Sequence, residues 1–249
     1  LVVISDPFFY LLAIPAILLF GISKGGFGGG ISSLTIPIMA FAIDPITAAA
    51  IVLPILIAMD AVAVWKFRHS WEKKYIVIML PAAILGILIA AILMGTLSTD
   101  AIKVIIGTVA VSFCAKQWFF KTWSVQKPNK LSGYFWGLIA GFTSTQIHAG
   151  GLPASIYLLP QKMDKMRLMG TTSIFFAAVN LIKLIPYTML GQFDKTNLAT
   201  SLVLMPLAPI GVLIGYQLLK LVKEELIYRI LYFFLCAAGI KLIWDGVVS

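Results

Sequence analysis

Two interrupted stretches hold the residues whose types and spacing could do chemistry. The first, GISKGGFGGGIS at 21–32, sets Ser23 and Lys24 beside Gly25, Gly26, Gly28, Gly29 and Gly30 inside an otherwise apolar run. Glycine leaves amide N–H groups uncovered and tolerates backbone conformations closed to other residues, so the pattern predicts an unwound segment between two half-helices. Where such a segment opens a helix, its amides and dipole offer positive potential to an anion. The competing reading is close helix packing by small residues, as between Gly21 and Gly25. Lys24 favours the anion: an ammonium at membrane depth costs about 2.5–3.5 kcal/mol on insertion scales and persists for function or by snorkelling. The apolar residues on both sides make snorkelling difficult.

The second stretch, GFTSTQIHAGGLP at 141–153, replaces the lysine with Thr143, Ser144, Thr145, Gln146 and His148 ahead of Gly150 and Gly151. The hydroxyl groups can hold an oxyanion without bringing in another full charge, and Gln146 is expected to act in coupling or in support of the site. His148 is either a hydrogen-bonded packing residue or a contact for substrate or proton, and its change of charge near neutral pH suits the latter. Asp60, Asn180 and Lys183 are further polar positions within apolar runs and are expected to act in coupling or in support of the site. Intramembrane charges find partners, so Asp60 either pairs with Lys24 or Lys183 or is solvated at its helix end.

The elements that must position these groups follow from composition. Of 249 residues, 60% are AVILMFWYC and only 12% are charged, with a mean hydropathy of +0.99. That excludes a soluble enzyme, whose charged fraction is about 25%. Runs such as 75–95 are apolar throughout, unlike the alternating strands of a membrane barrel. The fold class is therefore all-α, a polytopic helical membrane protein. The net charge of +9 resides in loops, where it holds them on the cytoplasmic side and does not imply nucleic acid. Cys114 and Cys236 lie in apolar runs without metal-ligand spacing, so no metal or cofactor is expected.

The apolar runs fall at 7–22, 31–43, 46–66, 75–95 and 101–120, then at 131–142, 152–160, 167–190, 197–219 and 225–247. The two sets match. Pro81 and Gly86 recur as Pro206 and Gly211, Gly21 as Gly141, Asp60 as Asn180, and Gly29-Gly30 as Gly150-Gly151. This divides a single integral domain into membrane repeats 1–124 and 125–249. Basic residues concentrate in 66–74, 116–131, 161–167 and 220–229. All four loops are cytoplasmic if each half is a broken helical hairpin plus three spanning helices, with the second half inverted. Treating the broken segments as full spans would make the halves parallel instead. Inverted repeats around broken helices mark secondary transporters with a site where the halves meet.

GISKGGFGGGISSLTIP (21–37), DPITAAAIVLPILIAMDAVAVW (44–65), GFTSTQIHAGGLPASIYLLPQKMDK (141–165) and GTTSIFFAAVNLIKLIPYTMLGQF (170–193) together resemble the TauE/SafE sulfite exporters, also called the 4-toluene sulfonate uptake permease family. The resemblance covers nearly the whole chain. It implies a multi-pass inner-membrane transporter of sulfite, sulfoacetate or other sulfonates, exporting in some members and importing in others. Lys24 stands where the commonest form of the motif has glycine or alanine, so its role rests on the physical argument alone.

The expected function is secondary active export of a small sulfur oxyanion by alternating access, with proton coupling as an option and no energy-supplying nucleotide motif. The partners expected are the anion and the bilayer, with homodimerisation open and no nucleic acid. A passive anion channel or an uptake permease for another organic anion is the alternative. An intramembrane enzyme using Ser144 and His148 is disfavoured because no hydrolase or metalloprotease motif accompanies them.

Overall fold

The computed structural model describes residues 3–27, 35–39, 41–43, 45–93, 96, 98–120 and 129–248. Gly28, Gly29, Gly30 and the junction between 124 and 125 lie outside these. The described residues form α1 (Pro7–Ile22) running into a wide helical turn (Ser23–Phe27), then α2 (Thr35–Met39), α3 (Pro45–Phe67), α4 (Lys73–Ile92) and α5 (Thr99–Phe120). The second half supplies α6 (Lys130–Ile147), α7 (Gly151–Leu158) with a 3-10 turn (Leu159–Gln161), α8 (Lys165–Met189), α9 (Lys195–Leu204), α10 (Leu207–Leu221) and α11 (Glu224–Val248). The chain is an all-α, multi-pass membrane protein.

Local chemistry sets the helix starts. Asp6, Asn129, Asp164 and Asp194 each accept a first-turn amide through the side chain, and Pro7 fills the first position of α1, where its missing N–H is not needed. Among the described residues, five stretches are long and apolar enough to cross a membrane: 7–27, 47–67, 73–92, 165–189 and 224–248. The bent pair α9 and α10, at 42°, makes a sixth.

Three boundaries differ from the sequence reading. The polar stretch expected to unwind at 23 continues helically to Phe27, which gives the first segment spanning length. Helix α6 likewise runs past 142 to Ile147, because Thr143 and Thr145 donate to the carbonyls of Ile139 and Gly141 at 2.7 and 2.9 Å and stay satisfied inside the helix. The run at 197–219 is broken in two, with Pro206 capping α10 where it lacks a donor for the helix before it.

Packing pairs α1 with α10, α4 with α6, α3 with α8 and α5 with α11. Several close approaches between helices require glycine, Gly25 and Gly141 among them. A Cβ on Gly25 would strike the carbonyl oxygen of Val212 in α10, and one on Gly141 would strike that of Ala83 in α4. These contacts bring the helical backbones together in the manner of small-residue membrane interfaces. At the other end of α8, the Lys165 ammonium donates to the carbonyl of Leu219 at 2.7 Å and to those of Lys220 and Val222, closing the C-terminal end of α10.

Candidate functional site

The wide turn after α1 carries Lys24 into the core of the bundle, where its ammonium meets the Asp60 carboxylate of α3 at 2.5 Å. It also donates to the Leu56 carbonyl at 3.4 Å. The second Asp60 oxygen accepts from the Asn180 amide of α8 at 2.7 Å. Asp60 and Asn180 are each 3% exposed, so this three-residue cluster links three helices away from water. Of the two partners expected for Asp60, Lys24 makes the ion pair.

A second network lies at the end of α6. His148 caps that helix in the left-handed conformation, φ 52°, which few residues other than glycine adopt. Lys183, with 0% exposure, donates to the Ser144 carbonyl at 2.7 Å and to the Ser144 hydroxyl at 3.3 Å, and its Nζ stands 3.4 Å from His148 Nδ1. Nε2 of the same imidazole lies 3.0 Å from the Tyr187 hydroxyl, which donates onward to the Thr145 carbonyl at 3.2 Å. Since Tyr187 spends its proton on Thr145, the donors fall in order if Nε2 carries the imidazole proton and Nδ1 accepts from Lys183. Both ring nitrogens are thereby held, which offsets the strained backbone at this joint.

Between the networks lies a cavity of about 40 Å³, lined by Phe20, Lys24, Leu56, Ser144, His148, Gly150, Gly151, Met169, Thr172, Ser173, Phe176 and Asn180. Helix α7 begins at its wall with Gly150 and Gly151. The first-turn amides of a helix have no acceptor within it, and its dipole is positive at that end. Of those at the start of α7, the Leu152 and Ala154 amides are taken by the Ala149 and Gly150 carbonyls at 3.3 and 3.2 Å and Pro153 has none, so it is Gly150 and Gly151 that line the wall, with Lys24 from the first half and Ser144 from the second. The cavity wall combines the polar residues Lys24, Ser144, His148, Thr172, Ser173 and Asn180 with apolar Phe20, Leu56, Met169 and Phe176, and no carboxylate among the described residues lines it.

Several residues of the sequence reading lie elsewhere. Thr143 and Thr145 are turned into their own helix, and Gln146 donates to the Ala90 carbonyl at 3.0 Å. Gly25 and Gly26 pack against α10, and Ser23 is buried beside them without lining the cavity. Lys183 stands behind Ser144 and His148. Two polar residues not singled out in the sequence line the wall from α8, Thr172 and Ser173. Thr172 donates to the Leu168 carbonyl at 2.8 Å. Ser173 is 2% exposed and its hydroxyl meets no protein partner among the described residues. The signal for it was present as the helical spacing that puts Ser173 and Asn180 on one face of α8. Among the described residues no group of three His, Cys, Asp or Glu could hold a metal ion.

A bundle of apolar helices with a part-polar cavity at its centre fits a transporter, and a family model decides which kind: that of the sulfite exporter TauE/SafE matches residues 13–242. The chain belongs to the TauE/SafE family. The match spans both polar stretches, so each cavity-lining residue lies within the TauE/SafE region. No curated protein and no solved structure matches the chain.

Proposed function

We propose that this TauE/SafE chain is a secondary active exporter that carries a small sulfur oxyanion across the bacterial inner membrane by alternating access. The observation that carries the reading is the cavity between the two polar stretches, with Lys24, Ser144, Ser173 and the start of α7 as donors. Its volume of about 40 Å³ holds roughly three waters. That is the scale of sulfite and below that of an aryl sulfonate. A bounded cavity of this size favours a carrier, which occludes its cargo, over a pore. The reading of two repeats is supported by the packing, since α3 pairs with its counterpart α8, and Asp60 touches its counterpart Asn180. Residues read as equivalent in two repeats meet near the axis that relates them.

Each group has a part in this reading. Lys24 supplies charge, held in place by Asp60, which Asn180 in turn orients. The hydroxyls of Ser144 and Ser173 donate to oxyanion oxygens, and Gly150 and Gly151 allow the ion to approach the backbone. Phe20, Leu56, Met169 and Phe176 exclude water and strengthen these contacts.

The test is counterflow in proteoliposomes loaded with sulfite, sulfoacetate, taurine, acetate or phosphate, following entry of labelled sulfite. Saturable exchange confined to sulfur oxyanions is the expected outcome. Flux indifferent to the anion on the far side would replace the carrier with a channel, and no flux with any sulfur anion would remove the substrate class.

A further inference from the structure

We propose that anion binding in the cavity is coupled to a proton on Lys183, so that the site takes up one proton with each monoanion it binds. The proposal rests on reading the cavity as an anion site. It begins with a charge count. Lys24 and Asp60 neutralise one another at 2.5 Å, and the other carboxylate oxygen is occupied by Asn180. Lys183, wholly buried, forms no salt bridge with any described carboxylate. The groups that face it are Ser144 and His148 at the end of α6, and Tyr187 on its own helix. Within electrostatic reach are Lys24 from the turn after α1 and Asp60 from α3. Two cations therefore share one carboxylate.

Charges taken out of water are paired or neutralised. An anion in the cavity supplies the missing charge, and the Ser144 hydroxyl links the two, accepting from Lys183 while it lines the cavity wall. Its own proton is then free to point at the anion. When the cavity empties, loss of the proton from Nζ restores neutrality. The neutral amine still donates to the Ser144 carbonyl, so no buried group is orphaned. Ser144 and His148 border both Lys183 and the cavity, which gives the departing proton its way out. No bond other than N–H is made or broken. Lys183 does not touch the anion and is a positioning residue that acts through Ser144.

Methanesulfonate is the probe, because it stays a monoanion and any pH dependence then belongs to the protein. It is titrated calorimetrically into the purified full chain, from about pH 6 to about pH 9, in buffers of different ionisation enthalpy. The wild type is expected to take up as much as one proton per anion bound, with affinity falling by up to about tenfold per pH unit on the alkaline side. Lys183→Arg, which keeps its charge, should bind the anion without proton uptake. Lys183→Gln should weaken binding roughly tenfold or more and, at saturating anion, remove the pH dependence even if the arginine variant does not fold. Binding to wild type without proton uptake, or uptake that persists in either variant, overturns the coupling and leaves the anion site standing. If neither methanesulfonate nor sulfite binds at any pH, the anion site falls and the coupling falls with it.

Discussion

Asp60 and Asn180, which the sequence aligns as counterparts in the two halves, hydrogen-bond to each other at 2.7 Å in the buried centre of the bundle. One position keeps the charge and the other the amide. That exchange matters because two facing carboxylates would repel, whereas an acid facing an amide leaves one acid oxygen for Lys24. The substitution turns a symmetric contact into an oriented one.

The ion pair should show its value when only one partner is removed. Asp60→Asn leaves the Lys24 ammonium buried without its counter-ion, which is expected to destabilise the fold by about 3–5 kcal/mol. Lys24→Met/Asp60→Leu, which removes both charges, should recover most of the loss. Unfolding midpoints of the detergent-purified proteins measure both, and additive losses would mean that the pair does not interact.

For transport, the informative variant is Lys24→Gln/Asp60→Asn, in which charge and counter-charge leave together. The half-saturation for sulfite counterflow is expected to rise roughly tenfold or more, the scale of a hydrogen bond to a charged group. Wild-type kinetics at normal expression would take Lys24 out of the anion's surroundings.

Ser173→Ala tests a hydroxyl that has no protein acceptor to lose. Thermal stability should change by less than about 0.5 kcal/mol, while the half-saturation rises by about tenfold. A stability loss with unaltered transport would assign the hydroxyl to the fold.

Gly25→Ala and Gly141→Ala place a methyl against a carbonyl oxygen of the facing helix. Each should lower stability by about 1–3 kcal/mol through overpacking. Gly191→Ala is the contrasting case: no atom lies within 4 Å of the added methyl, and only the backbone at φ +66° resists it. An equal loss at all three positions would detach the effect from helix contact.

The helical segments were legible in the sequence because apolar length and loop charge are properties of local composition. Lys24, Ser144, His148 and Asn180 were legible too, as polar residues that an apolar run has no reason to keep. The point of interruption at 143 was misjudged, because threonine hydroxyls that look like breakers can bond to the carbonyl one turn back. Ser173 passed unnoticed, since a small hydroxyl does not interrupt an apolar run and only its spacing of two helical turns from Asn180 marks the face it shares. Lys183 was visible as a charge, but its place behind Ser144 depends on how α6 and α8 cross.

The clasp between Lys165 and the end of α10 bears on how such a molecule could move. It fastens the start of α8 to α10, and α10 is seated on α1 through contacts too tight for a Cβ. A rocking motion that preserves those contacts carries α1, α8 and α10 as a single lever. Lys183 and Tyr187 of that lever hold the end of α6 at Ser144, Thr145 and His148, so the lever meets α6 where its backbone turns left-handed.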